Sequence, residues 1–183
     1  MYELITPPAV EPFSLTDLKS ALRVDHSNED DLLMRLGITA RAFIERRLGH
    51  AIAAQTWRLT HPGQPSGPLT LRPGKVSAVT DVSLRYGEGA YASTFDYTFC
   101  ESRPATVTIT APSAAEDGAM TGVQVTFTAG RSDVSTTPPE LIEAILSLAA
   151  HYYENREAVG EGRYVAMPLK VESLLSGLRE VSL

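Results

Sequence analysis

Residues 138–159, PPELIEAILSLAAHYYENREAV, form the longest uninterrupted run of helical apolar periodicity in the sequence. On a helix with about 3.6 residues per turn, the apolar side chains share one broad side. Thr137 is placed to cap this helix, with Pro138 at its first position and Glu140 completing a capping box. A helix packed on one neighbour needs an apolar stripe of only about 100°. The wider arc predicts contacts with more than one element, within the chain or across a subunit boundary.

Two further helices are predicted before this segment. Ser14 opens a short helix that ends near Val24, and Ser27 or Asn28 caps a longer helix that ends before Gly49. The longer helix buries one apolar face, while two apolar residues, Met34 and Ile38, lie on its far side. We therefore identify Met34 and Ile38 as a candidate second contact surface of that helix.

A fourth helix is predicted at the end of the chain, beginning at Pro168. Its apolar residues lie on one narrow face and are Val171, Leu174, Leu175, Leu178 and Val181. The preceding loop contains Gly160 and Gly162, so we expect it to be mobile. The apolar stripe requires a docking surface, which is either the chain's own core or, as the sharper hypothesis, a neighbouring subunit or partner protein.

The apolar period changes from 3.6 to about two near Gln55, which indicates β-strands. Turn signals rich in Pro and Gly separate the strand candidates, which are residues 56–60, 69–72, 76–86, 91–100, 106–110 and 123–129. Apolar residues alternate with threonines in several of these runs, which is typical of a sheet with one covered face and one wet face. The pattern predicts an antiparallel meander.

The predicted fold is therefore α+β, within a single domain over residues 1–183. A four-helix α core comes from residues 14–50 and 138–183. An antiparallel β-meander, residues 55–130, is inserted between the second and third helices. Residues 1–13 contain three prolines, and we expect them to form an extended N-terminal arm.

Composition limits the possible partners. The chain of 183 residues has a formal charge of -6 and an isoelectric point of about 5.2. A protein that reads or wraps nucleic acid needs a basic face to neutralise phosphates, so the net negative charge disfavours that class. The charge is compatible with a protein surface past which DNA slides. The N-terminus lacks a signal-peptide pattern, and no run approaches the length of about 20 apolar residues that spans a bilayer. We expect a soluble protein made inside the cell, without a membrane partner.

No pattern in the sequence predicts catalysis. The four histidines have no metal-ligand spacing, and we expect them to be scattered on the surface. Cys100 is the only cysteine, which excludes an intrachain disulfide, and we expect it to be a small buried residue. The glycines at 87 and 89 lack the rest of a phosphate-binding motif. The sequence predicts no catalytic, cofactor-binding or metal-binding residue, and no enzyme.

The order of these segments resembles one known family. The relevant stretches are ITARAFIERRLGHAIAAQTWRLT, LRPGKVSAVTDVSLRYGEG, FDYTF, RPATVTI, PPELIEAILSLAAHYYENREAV and MPLKVESLLSGLR. Together they resemble the gp6-like head-tail connector, or adaptor, proteins of tailed phages. The resemblance covers nearly the whole chain and is greatest to the branch with a β insertion, which occurs in prophages and gene transfer agents.

The resemblance implies a structural virion protein without enzymatic activity. Copies would form a homo-oligomeric ring, expected to be dodecameric, under the portal protein, and would extend the DNA channel. The ring would dock stopper and tail proteins, and DNA would pass through its lumen without sequence-specific binding. The protein would be assembled in the host cytoplasm and located in the neck of the particle.

Two other interpretations remain open at this stage. A neck stopper or tail-completion protein belongs to the same particle but would have a fold dominated by strands. A small ligand-binding or hydrolytic α+β domain belongs to a different class and requires a deep pocket with convergent polar groups.

Overall fold

The computed structural model describes residues 1–94, 96–102, 104–110, 114–115, 118–155 and 168–178, with only the backbone described at 114–115. The chain divides into two compact units. Unit 1 comprises residues 1–9 and 49–132, and unit 2 comprises residues 10–48 and 133–183. Unit 1 contains the described strands, and unit 2 contains the described α-helices.

The described part of the chain is α+β, with four α-helices and antiparallel sheets, as the sequence predicted. The helices are α1 (Leu15–Leu22), α2 (Asp30–Leu48), α3 (Pro139–Glu154) and α4 (Leu169–Ser176), and a 3-10 turn covers Val134–Thr136. The strands are β1 (Tyr2–Thr6), β2 (Gln55–Pro62), β3 (Leu69–Thr70), β4 (Val76–Tyr86), β5 (Ala92–Ser93), β6 (Tyr97–Cys100), β7 (Thr106–Ile109), β8 (Ala114–Ala115) and β9 (Gly118–Ala129).

The main sheet of unit 1 does not have the strand order of a meander. Its order is β1-β2-β9-β4-β5, with β8 paired to β9, and a second sheet has the order β3-β7-β6. The last strand, β9, therefore lies between β2 and β4. It supplies Val123, Val125 and Phe127 to the core, all fully buried. In this central place both edges of β9 are paired and its apolar face is covered.

The core of unit 1 joins the two sheets. Buried residues of β4 and β9 share one hydrophobic cluster with Leu69 and Val107 of the smaller sheet. On the opposite face of the main sheet, Thr126 and Thr128 of β9 are only partly buried. The alternation predicted from the sequence is thus the division between a covered apolar face and a polar face.

The predicted N-terminal arm contains strand β1. Tyr2 lies opposite Leu59 and Leu4 opposite Trp57 in an antiparallel pairing with β2. The strand ends at Thr6, just before the prolines at positions 7 and 8, which cannot donate backbone hydrogen bonds.

In unit 2, α3 packs against three helices, α1, α2 and α4. Its buried side chains are Leu141, Ala144, Ile145, Leu148 and Ala149. This confirms that the wide apolar arc of α3 contacts more than one element, and the observed contacts lie within the chain.

The helix caps were predicted correctly for α1 and wrongly for α3. Ser14 and Asp17 form the capping box of α1, because Asp17 accepts from the Ser14 amide at 2.8 Å and the Asp17 amide donates to Ser14 Oγ at 3.1 Å. At α3 the N-cap is Pro138, with no side-chain cap. The Thr137 amide instead bonds to Val134 O in the preceding 3-10 turn, and the Thr137 side chain is buried.

The segment before α1 is fixed to α2 by a buried ion-pair cluster. Arg41, only 4% exposed, donates from Nε to Glu11 at 2.6 Å and from a terminal nitrogen to Glu45 at 2.5 Å. The Phe13 ring lies over Gly37, where an added Cβ would be 2.6 Å from a ring carbon. Glycine at position 37 therefore allows the segment to approach α2 closely.

Directly after β9, the backbone of Gly130 lies against the backbone of Ala53 within unit 1. Gly130 has a φ of +99°, and a Cβ there would lie 2.1 Å from the carbonyl oxygen of Ala53. The neighbouring Arg131 amide donates to Ile52 O at 3.1 Å, and the Ala54 amide donates to Arg131 O at 2.9 Å. No side chain can be added at position 130 without separating these two backbone segments.

We predict that Gly130→Ala lowers the free energy of unfolding of unit 1 by about 3 kcal/mol or more, because backbone strain and a backbone clash act together. Gly63→Ala is the matched control, since Gly63 also has a positive φ, +67°, but faces open space. Its expected loss is about 1 kcal/mol. Urea unfolding followed by the fluorescence of Trp57, the only tryptophan, measures both. Equal losses in the two variants would contradict the role assigned to Gly130.

Candidate interaction surfaces

The apolar stripe predicted for the last helix, α4, is divided between buried and accessible positions. Val171 and Leu175 are 0% and 3% exposed, and α4 packs on α3. Leu174 and Leu178 are only partly buried. Val181 lies outside the described residues. The inner half of the stripe thus docks on the chain's own helical unit, and the outer half remains accessible.

Two exposed ion pairs flank the packing of α4. Lys170 Nζ lies 2.5 Å from a Glu143 carboxylate oxygen. A terminal guanidinium nitrogen of Arg47 lies 3.9 Å from a Glu172 carboxylate oxygen. The hydrogen bond from Lys170 lowers the pKa of Glu143 from its ordinary value, against a smaller opposing effect of burial. Such exposed pairs contribute about 1 kcal/mol at most. Apolar burial at Val171 and Leu175 is therefore the main force that holds α4 in place.

The second predicted surface lies on α2. Met34 is partly buried and Ile38 is 39% exposed, and the two side chains are one helical turn apart on the same face. Both are accessible enough to contact a partner, and their proposed role stays a prediction.

A groove of about 460 Å³ lies within unit 2, between α1, α3 and the start of α4. It is lined by Ala21, Glu143, Leu146, Ser147, Ala150, His151, Glu154, Pro168 and Lys170. The charges of Glu143 and Lys170 are paired with each other. The groove is open, unlike the deep cleft of a typical ligand site.

Two single-residue predictions about reactive groups were wrong. Cys100 is exposed, because it falls on the outward-facing side of β6, where burial alternates from residue to residue. His50 is buried in unit 1, where a bridge pairs it with Gly74. Within the described ranges, no group of His, Cys, Asp and Glu could hold a metal ion, and no helix is long and apolar enough to cross a membrane.

Sequence reasoning missed a third surface, at strand β1. All five residues of β1 are exposed. Large hydrophobic side chains that are exposed concentrate in the first ten residues; they are Met1, Tyr2, Leu4, Ile5 and Val10, against Ile38 and Leu169 elsewhere in the described chain. The available signal was the proximity of these apolar residues to a proline-rich segment without a core pattern of its own.

Comparison with known proteins gives a match in structure alone. No protein-family model matches the chain, and no curated protein matches it. A chain from the neck of an empty gene transfer agent (GTA) particle, computed with C6 symmetry, aligns over 100% of this chain and 97% of its own length, with a TM-score of 0.77 and 25% identity. The chain shares its fold with this GTA neck component.

Two further structures agree with this likeness. A chain from the virion of a native gene transfer agent particle has a TM-score of 0.78, and one from the neck of a native GTA particle computed with C12 symmetry has a TM-score of 0.76. Each is 24% identical to this chain and aligns over 100% of it and 97% of its own length. These two matches show a common fold, and the first match, at 25% identity, supports a structural role of the neck type.

We predict that Leu175→Asp undocks α4, because it places an unpaired charge in a buried position, at an expected cost of about 3 kcal/mol or more. Leu169→Asp is the matched control on the same helix, since Leu169 is 82% exposed. Hydrogen exchange of the α4 amides should accelerate strongly in the first variant and remain near the native rate in the second. Unchanged protection in both variants would show that the stripe does not hold α4.

Proposed function

We propose that this protein is a structural head-tail connector, or adaptor, in the neck of a tailed phage or gene transfer agent particle. The observation that carries the proposal is the full-length structural match to a chain from the neck of a GTA particle, at 25% identity. The match covers both units of the chain. It agrees with the family resemblance of the sequence, the gp6-like connectors with a β insertion between the second and third helices of a four-helix core.

The proposal includes a homo-oligomeric ring, which we expect to be dodecameric. Support comes from the similar neck structures, which were computed with C6 and C12 symmetry. A ring built from identical copies uses two different patches on each copy, because one patch pairing with itself closes a dimer. Each copy therefore needs at least two separate contact surfaces.

The partners in this proposal are the portal protein on one side and the stopper and tail proteins on the other. DNA passes through the lumen without sequence-specific binding, which agrees with a net charge of -6. The chain assembles in the host cytoplasm and becomes part of the virion neck.

The candidate partner-facing residues are the accessible ones on unit 2. Leu174 and Leu178 on α4, with Met34 and Ile38 on α2, combine apolar character with partial or full exposure. Val171 and Leu175 hold α4 in place from its buried side. Val181, which continues the stripe, completes the proposed set.

A connector is favoured over a stopper or tail-completion protein because helices form one of the two compact units and are not minor additions to a β fold. It is favoured over a ligand-binding or hydrolytic domain because the groove described in unit 2 is open and its Glu143 and Lys170 are paired with each other.

The direct test is the mass of the purified protein, measured by light scattering alone and with the portal protein of the same gene cluster. We expect either a closed ring or a monomer that joins the portal in a stoichiometric complex. A stopper would bind only to a portal that already carries another neck protein. A monomer that does not bind the portal, whether the portal is bare or already carries another neck protein, would contradict the connector role.

A further inference from the structure

Strand β1 leaves one long edge of the main sheet without a partner strand. In the part of the chain that the structure describes, β1 pairs with β2 on one side only. Such an edge presents backbone donors and acceptors to an incoming strand.

The hydrogen-bond pattern shows which groups point outward. Met1 and Thr60 exchange two backbone bonds, at 2.7 and 2.8 Å. Bonded and non-bonded pairs alternate along an antiparallel ladder. The pairs Tyr2 with Leu59 and Leu4 with Trp57 are therefore the non-bonded ones. It follows that the amides and carbonyls of Tyr2 and Leu4 face away from β2 and are available to another strand.

Apart from a register shift between Leu4 and Thr6, the edge of β1 lacks the features that normally prevent such pairing. Exposed edges are usually protected by Lys, Pro or a very short strand. Strand β1 is five residues long, contains no Lys, Arg or Pro, and exposes Tyr2, Leu4 and Ile5. An incoming strand would bury this apolar surface and satisfy the backbone groups in one step.

The opposite side of the same sheet offers a second open edge, where the pairing of β4 with β9 shifts register between Val76 and Ala78 and between Val79 and Asp81. Strand β5 pairs with β4 only at Ser83 and Leu84, so residues 76–80 of β4 have no described strand on their outer side. The exposed side chains there are small, namely Ser77, Ala78 and Thr80. The hydroxyls of Ser77 and Thr80 donate to the carbonyl oxygens of Thr128 and Thr126 in β9, so large side chains are absent from this edge.

Strand directions decide how copies could join. Neighbours in the path β1-β2-β9-β4 are all antiparallel, so β1 and β4 run in opposite directions. The β4 edge of a second copy in the same orientation would thus continue the antiparallel sheet beside β1. Repetition of this contact keeps every copy pointing the same way, as a rotational ring requires, whereas pairing of β1 with β1 needs a two-fold axis and closes a dimer.

We propose that β1 of one copy pairs with residues 76–80 of β4 in the next copy, so that the main sheet continues between neighbours in the ring. The proposal rests on the ring assembly in the proposed function and assigns the two different patches that the ring needs. The partner is a second copy of this chain, recognised by backbone hydrogen bonds and by apolar side chains against small ones.

Cysteine crosslinking in particles tests the pairing. Leu4→Cys and Ala78→Cys are introduced singly and together in a Cys100→Ser background, because Cys100 is exposed. Particles are assembled with each variant and treated with a short bismaleimide. We expect a ladder of linked copies from the double variant and no linked species from either single variant.

Three results would overturn the pairing or separate it from the function. Dimers from Leu4→Cys alone would show pairing of β1 with β1. No ladder in particles whose necks contain the double variant would refute the sheet contact and leave the connector role intact. Particles that form normal necks without this chain would refute the connector role itself.

A backbone variant gives an independent measurement. Leu4→Pro removes an outward amide and leaves the bonds to β2, whereas Leu4→Thr keeps the amide and reduces only the apolar surface. We expect Leu4→Pro to lower incorporation into necks about tenfold relative to Leu4→Thr, with both proteins folded by circular dichroism. Equal incorporation of the two variants would contradict backbone pairing at this edge.

Discussion

The burial of α3 is the constraint on which the helical unit depends. Its apolar arc is too wide for one neighbour, and α1, α2 and α4 cover it together. Helix α4 is short, eight residues, and forms part of this cover through Val171 and Leu175. A helix of that length is not stable alone in water, so its position depends on the surface that α3 offers. The accessible residues of α4 are consequently held on the outside of the helical unit by its packing on α3.

The β unit depends on a similar condition, the central position of β9. Both long edges of β9 are paired, and its apolar residues are fully buried in the core shared by the two sheets. With β9 at the centre, β1 is an outer strand, and β4, which runs in the opposite direction, is covered by β5 only at Ser83 and Leu84. In the described part of the chain, the same topology that completes the core leaves the outer edge of β1 and residues 76–80 of β4 without a partner strand. Gly130 ends β9 at a close backbone contact that admits no side chain.

Local patterns in the sequence predicted much of this fold. The helical periods, Ser14 as the first residue before α1 and the full extent of β4 all follow from residue spacing. The strand order did not follow, because alternation shows which face is apolar but not which strand lies beside which. The cap of α3 was wrong because the 3-10 turn before it, which redirects Thr137, has no strong sequence signal. The exposure of Cys100 depended on register within a short strand, where a shift of one residue reverses the face.

The candidate interaction surfaces were predicted only in part, for the same reason. The α4 stripe was visible as a period of apolar residues, but its division into a buried and an accessible half depends on the orientation of α4 on α3. Strand β1 was missed as a surface because an open edge is a property of the assembled sheet. Its five residues have no distinctive pattern without β2 beside them.

The most direct test of a ring-forming neck protein is a cryo-EM reconstruction, without imposed symmetry, of particles that contain this chain. The account predicts several copies in a closed, rotationally symmetric ring next to the portal, all in the same orientation. A single copy, copies related by two-fold axes, or density located outside the neck would contradict it.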